Sequence, residues 1–221
     1  PSKRLMQCRL RVISSPSTEQ EQTRKTTRMP TKTSVKRVDA LLHPTLEESF
    51  DPQSMIALVP IHSAQKVADI GAGPGRLSIA LAKYLYMGTC YAVDVQKEML
   101  EHVREQAKVA RLGNVETVVS KENQVPLDDE SLDGVVLSDV LNEASRPKTL
   151  IKEAARLLKK YGWMAIIEWL PAEGKGKLAV GPAASKRLAQ EDMRAAMETL
   201  GLRTLTSRQL THHRYIIVAR K

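Results

Sequence analysis

The chain is short of several things. It has two cysteines, Cys8 and Cys90, and a single phenylalanine, Phe50, in 221 residues. One cysteine lies in a basic polar stretch and the other in an apolar run, so they form neither a disulfide framework nor a thiolate metal set. A reducing compartment is the expectation. Five histidines (His43, His62, His102, His212 and His213) fall without H-x-x-x-H spacing or a cysteine beside them. No metal site is expected. No apolar run reaches the roughly 20 residues that cross a bilayer, so no membrane span is expected. The first residues lack the apolar core of a secretory signal. No internal repeat is visible.

What is in excess is positive charge, +9 at neutral pH, and it is unevenly spread. Residues 1–40 hold ten Lys or Arg against three acids, while the other 181 residues hold 24 against 22. The basicity belongs to one segment and gives no argument for nucleic-acid binding by the remainder. Residues 1–40 are rich in Ser, Thr, Gln, Lys and Arg and are expected to be a disordered basic tail. Within them, residues 1–18 are free of acids and resemble an organellar transit peptide. Met29 as the true start, with the preceding residues non-native, is an equal alternative, and a solvated tail without function is a third. The expected location is cytoplasmic, or organellar if residues 1–18 target the chain.

Residues 41–221 read as one domain, with residues 41–63 as an N-terminal cover. Asp51 caps a short helix that Pro52 opens and Pro60 stops. Strands are expected at 67–70, 89–93, 115–119, 132–137 and 163–169. Helices are expected at 75–86, 96–112, 147–160 and 190–200, the third closed by Lys159, Lys160 and Gly162. A loop rich in Gly, Pro and Ala runs from Pro171 to Ser185. Strands at 202–207 and 214–219 have no helix between them and should pair antiparallel. The alternation of strand and helix predicts an α/β fold. Its sheet should be doubly wound, mostly parallel and seven-stranded, with a C-terminal antiparallel hairpin.

The organising stretch is Asp69-Ile70-Gly71-Ala72-Gly73-Pro74-Gly75, between the first long strand and its helix. Three glycines in one turn permit positive φ and close approach to the backbone. The helix that follows offers unpaired amides and a partial positive charge to an anion. The spacing departs from the dinucleotide fingerprint G-x-G-x-x-G, since Arg76 stands where a third glycine would be. A turn that merely joins strand to helix is the plain alternative.

This stretch resembles the first motif of the class I S-adenosylmethionine-dependent methyltransferases, and the expected sheet resembles that family's Rossmann-like architecture over residues 41–221. The resemblance implies an enzyme that binds S-adenosylmethionine at Gly71, Ala72, Gly73 and Gly75, with the methionine part against the turn. It gives Asp69 a role in orienting the loop and the cofactor's amino group. A purely structural acid is the equal alternative. Asp94, at the end of the second strand, sits where ligands bind in open α/β sheets. Its carboxylate can accept the two hydroxyl hydrogens of a ribose, and Val95 can pack on the adenine. The family's usual acid for the adenine amino group is replaced by Lys121, leaving Glu122 with Asn123 as candidates. By the resemblance, Ser138 and Asp139 fall beneath the reactive methyl, with Asp139 and Glu143 the candidate bases if the acceptor must lose a proton, and a surface acid near a helix start as the plainer account of Glu143. A histidine common in the family is absent at Asn142. Glu168 is a further candidate facing the substrate.

The expected acceptor is a small molecule, not nucleic acid, with the methylated atom and the oligomeric state left open. Two other readings stand beside it. One is an NAD(P)-dependent oxidoreductase, which predicts glycine at position 76 and no terminal hairpin. The other is a non-catalytic domain that binds cofactor or a partner.

Overall fold

The structure is a computed structural model, and it describes residues 50–171 and 181–221. The transit-peptide and start-site readings, the cover before Phe50 and part of the loop 171–185 lie outside the described residues.

After Phe50 the chain enters α1 (Pro52–Ile56), where Asp51 accepts the Gln53 amide hydrogen at 3.1 Å and Pro52 takes the first position. The helix ends well before Pro60. Then come β1 (Lys66–Ile70), α2 (Arg76–Tyr84), β2 (Thr89–Asp94), α3 (Lys97–Val109) and β3 (Val115–Val119). β4 (Leu132–Ser138), α4 (Pro147–Leu157), β5 (Leu158–Trp169), α5 (Gln190–Thr199), β6 (Arg203–Gln209) and β7 (Arg214–Arg220) complete it. The sheet runs β3-β2-β1-β4-β5-β7-β6. β1 to β5 are parallel, and β7 is antiparallel to both β5 and β6. The predicted doubly wound sheet and its terminal hairpin are present.

One element differs from expectation. The fourth helix stops at Leu157 and the chain turns straight into β5, so Lys159, Lys160 and Gly162 close no helix. Leu158 is fully buried opposite Leu132 of β4, an apolar contact that helix continuation would forfeit. Lys159 instead pairs with Asp133 at 2.8 Å. Tyr161 takes φ +68 in the bend that follows.

Both faces of the sheet are covered. On one, Leu150, Ile151 and Ala154 of α4 and Met193 and Met197 of α5 pack on Val135, Leu137 and Ile166. On the other, Met55 of α1 with Leu77 and Leu81 of α2 packs on Val67, Val136 and Ala165. Leu100 and Val103 of α3 meet Ala72 and Ala92 beside the glycine turn. With both faces buried, β1 and β4 read as nearly continuous apolar runs. The order of strands reverses between β1 and β4, which opens a crevice at their carboxyl ends.

Candidate active site

That crevice is a cavity of about 690 Å³, in the size range of small-molecule sites. Of the residues singled out in the sequence, Asp69, Gly71, Ala72, Gly73, Asp94, Val95, Glu122, Ser138 and Asp139 all line it. Gly75 and Asn123 do not. Gly75 is the N-cap of α2 at φ +94 and faces Val103, which a β-carbon would meet at 2.8 Å. The Asn123 Oδ1 is buried without a partner among the described residues.

The glycine turn is stiff and internally bonded. The amides of Gly71 and Ala72 both donate to the Val93 carbonyl, at 2.8 and 3.0 Å, and Gly75 donates to the Ala72 carbonyl at 3.0 Å. The Gly73 amide donates to Asp94 Oδ2 at 2.9 Å. The turn therefore keeps its own amides for internal bonds. An anion here must rely on the first helical amides. Gly71 (φ +82) lies against Val140, which a β-carbon would meet at 2.5 Å, whereas Gly73 (φ +52) opens onto empty space. The opening is where a ligand can approach the backbone.

Asp94 Oδ1 also accepts the Gln96 amide hydrogen at 2.9 Å, so both oxygens are fixed yet keep further lone pairs. Burial pushes its carboxyl up from the ordinary value, opposed by the amides of Gln96 and Gly73. Asp69 lies deeper, 2 % exposed, and accepts the Ser78 hydroxyl hydrogen at 2.6 Å. Burial raises its carboxyl to about 6, against the Ser78 hydrogen bond and with help from the Asp94 charge. Ser78 was not legible as a site residue. Its only sign was a hydroxyl on the apolar stripe of α2.

At the other end of the cavity, Asp139 sits just past β4 at φ +53. Its two oxygens take the Nε of Arg214 at 3.1 Å each and its Nη2 at 3.0 Å. Burial raises this carboxyl, while Arg214 and then Arg76 pull it back. A carboxylate so committed is a poor candidate for a free base. Arg214 opens β7 opposite Trp169 of β5, and its guanidinium carbon lies 3.8 Å from the indole centroid. Neither residue was singled out from the sequence. Only the register of the two antiparallel strands brings them together.

Glu168, the further candidate, does not line the cavity. It is fully buried and accepts from the Leu141 amide at 2.8 Å, the Asn142 amide at 3.3 Å and Asn142 Nδ2 at 2.9 Å. Burial, then the Asp139 charge, pushes its carboxyl up to about 7. Asn142, in place of the family's histidine, thus ties the loop after β4 to β5. Glu122 accepts the Ser145 amide hydrogen, and the backbones of Lys121 and Gln124 pair in a tight bridge. Among the described residues, no group of His, Cys, Asp or Glu is placed to hold a metal ion. No helix among them is long and apolar enough to cross a membrane.

Comparison with known proteins bears on this geometry. Residues 68–166 match the family model of a methyltransferase domain. The chain is 28% identical over 121 residues to the uncharacterized methyltransferase YcgJ of Bacillus subtilis, covering 55% of this chain and 47% of that protein. It is 27% identical over 117 residues to the ubiquinone/menaquinone biosynthesis C-methyltransferase UbiE of Ruegeria sp., covering 52% of this chain and 47% of that one. The chain thus spans about half the length of the curated relatives it matches. A solved SAM-dependent methyltransferase from Aquifex aeolicus superposes with a TM-score of 0.77 at 27% identity, over 86% of this chain and 99% of that one. Residues 68–166 thus form a methyltransferase domain, and by its sheet, its glycine turn and these likenesses the chain is similar to the class I S-adenosylmethionine-dependent methyltransferases.

Proposed function

We propose that this chain transfers the methyl group of S-adenosylmethionine to a small-molecule acceptor held at the β4, β5 and β7 end of the cavity. The observation that carries the reading is Asp94, a fixed carboxylate that ends β2, lines the cavity and is hydrogen-bonded to the glycine turn. The residues fit the cofactor. Asp94 has lone pairs for a ribose diol, and Gly73 leaves room for a ligand against the turn. Asp69 and Glu122 supply further acceptors, and Val95 an apolar surface, 42% exposed, for an adenine. When bound there, S-adenosylmethionine supplies an electrophilic methyl on a sulfonium sulfur.

The chain's own task is alignment. Displacement at a methyl carbon needs the nucleophile in line with the leaving sulfur, and orientation can supply roughly 7–11 kcal/mol of barrier reduction. Ser138 and Asp139 line the cavity at the end of β4, and Asn142, bonded to the Asp139 carbonyl and to Glu168, holds that wall in place. Asp139 is proposed here to position Arg214.

The antiparallel terminal hairpin and Arg76 at the helix start argue against the oxidoreductase alternative. Relatives named as quinone C-methyltransferases make a ring-bearing acceptor the first class to screen. Calorimetry with S-adenosylhomocysteine, followed by radiolabelled methyl transfer into a metabolite extract, tests the reading. Tight NAD binding with no response to S-adenosylhomocysteine would overturn it.

A further inference from the structure

We propose that the acceptor carries an anionic oxygen, as a carboxylate or a phenolate, and that Arg214 receives it. The inference rests on the methyl-transfer reading and adds a substrate class to it.

The cavity lining carries both signs of charge. Its acids include Asp69 of β1 and Asp94, which ends β2 beside the glycine turn, and Glu122 after β3. Its cations are Lys186, Arg214 at the start of β7, and Arg76, which follows the glycine turn but donates to the Phe50 carbonyl and acts on Asp139; Asp139 and Glu143 belong to the same lining. Arg214 belongs to β7, three places from β1 in the sheet and on the far side of β4 and β5. Because β7 runs antiparallel to β5, its first residue lies at the same edge as the carboxyl ends of β1 to β5. Arg214 therefore stands at the end of the cavity away from Asp94.

Its state is unusual for an arginine. Only 3% of the residue is exposed, and its guanidinium lies 3.8 Å over the Trp169 ring and 5.7 Å from that of Phe50. Asp139 satisfies Nε and Nη2, but Nη1 is buried with no hydrogen-bond partner among the described residues. Buried guanidinium hydrogens are normally all paired, and an orphan is costly. Stacking on an indole leaves the in-plane N–H groups free to bond, and the Nη1 edge that Asp139 does not take matches an oxygen of a carboxylate or phenolate. Arg187, 5.2 Å over the same indole, adds a second cation to this end. Asp139 alone does not balance the group. Where the ionised oxygen is itself the nucleophile, its bond to the methyl carbon forms as the sulfonium S–CH3 bond breaks and no proton is released, so no base is needed, which agrees with Asp139 being held by Arg214.

The test is calorimetric titration of the protein saturated with S-adenosylhomocysteine, using benzoate, 4-nitrophenolate and neutral benzamide as probes. One of the two anions is expected to bind at least about tenfold more tightly than benzamide. Which anion it is distinguishes the carboxylate from the phenolate. In Arg214→Gln the preference should shrink below about threefold, and in Arg214→Lys it should be retained in part. Benzamide binding as tightly as both anions overturns the proposal, as does an undiminished preference in an Arg214→Gln protein that still binds S-adenosylhomocysteine. If that variant does not fold, the wild-type preference decides alone. Failure of wild-type protein to bind S-adenosylhomocysteine overturns the methyl-transfer reading and this inference with it. Binding without anion preference overturns this inference only.

Discussion

Asp94 closes on the glycine turn: its Oδ2 takes the Gly73 amide hydrogen at 2.9 Å, across 21 residues of sequence. Its Oδ1 takes Gln96 at the same distance, so the carboxylate is aimed before any ligand arrives. Asp94→Ala should weaken S-adenosylhomocysteine binding at least about tenfold, or about 1.4 kcal/mol. Asp94→Asn should lose nearly as much, because one amide hydrogen must then face a backbone N–H. Calorimetry on folded variants reads both, and unchanged affinity would remove Asp94 from the site.

Gly71 and Gly73 share positive φ but differ in what they face. A β-carbon at Gly71 meets Val140 at 2.5 Å, while at Gly73 it meets nothing within 4 Å. Alanine at either costs about 1 kcal/mol for the left-handed backbone. Gly71→Ala adds overpacking of about 1–3 kcal/mol. Gly71→Ala should therefore lower the urea midpoint more than Gly73→Ala. Gly73→Ala should lose more affinity for S-adenosylhomocysteine relative to its small loss of stability. The reverse ranking would place the ligand elsewhere.

Much of this was legible in the chain, for physical reasons. Strand and helix periodicities located every sheet strand, and the missing helix between the last two strands implied their hairpin. The glycine turn and Asp94 were readable because special backbone and strand ends leave local signatures. Arg214, Trp169 and Ser78 were not. Arg214 meets Asp139 across 75 residues, through a register that no local pattern encodes. The end of α4 was misread because Lys159, Lys160 and Gly162 look like a helix stop, while burial of Leu158 against Leu132 ends the helix sooner.

The Asp139–Arg214 pair joins an acid whose side chain is 32% exposed to an arginine side chain that is 4% exposed. Removing the acid strands the buried partner. Asp139→Ala should destabilise the fold by about 3 kcal/mol, the lower end for breaking a buried pair, because water reaches one side. Alanine at φ +53 adds about 1 kcal/mol more. Asp139→Asn should cost less, since asparagine tolerates that backbone and keeps one acceptor. Denaturant unfolding checks the order, and equal stability of both variants with wild type would argue that the pair contributes nothing.

Glu168 gives the fold an inverted response to acid. Its native carboxyl lies at about 7 against an ordinary 4.5, because burial and the Asp139 charge disfavour ionisation. A group raised in this way contributes stability that is fully present below about pH 4.5 and is lost as pH rises through about 7. Asp69, raised from 3.8 to about 6, acts in the same direction. Unfolding free energy should therefore increase as pH falls from 8 to about 5, with Glu168 contributing on the order of 3 kcal/mol. Glu168→Gln should flatten that slope and leave the protein at pH 8 at least as stable as wild type. The amide can still accept from Leu141 and Asn142 through one oxygen while carrying no buried charge. Asp139→Asn should shift the Glu168 transition to lower pH, because it removes the neighbouring negative charge. Urea titrations across this range read all three proteins. Parallel pH curves for wild type and Glu168→Gln would mean that Glu168 is ionised throughout and that its three hydrogen bonds outweigh its burial.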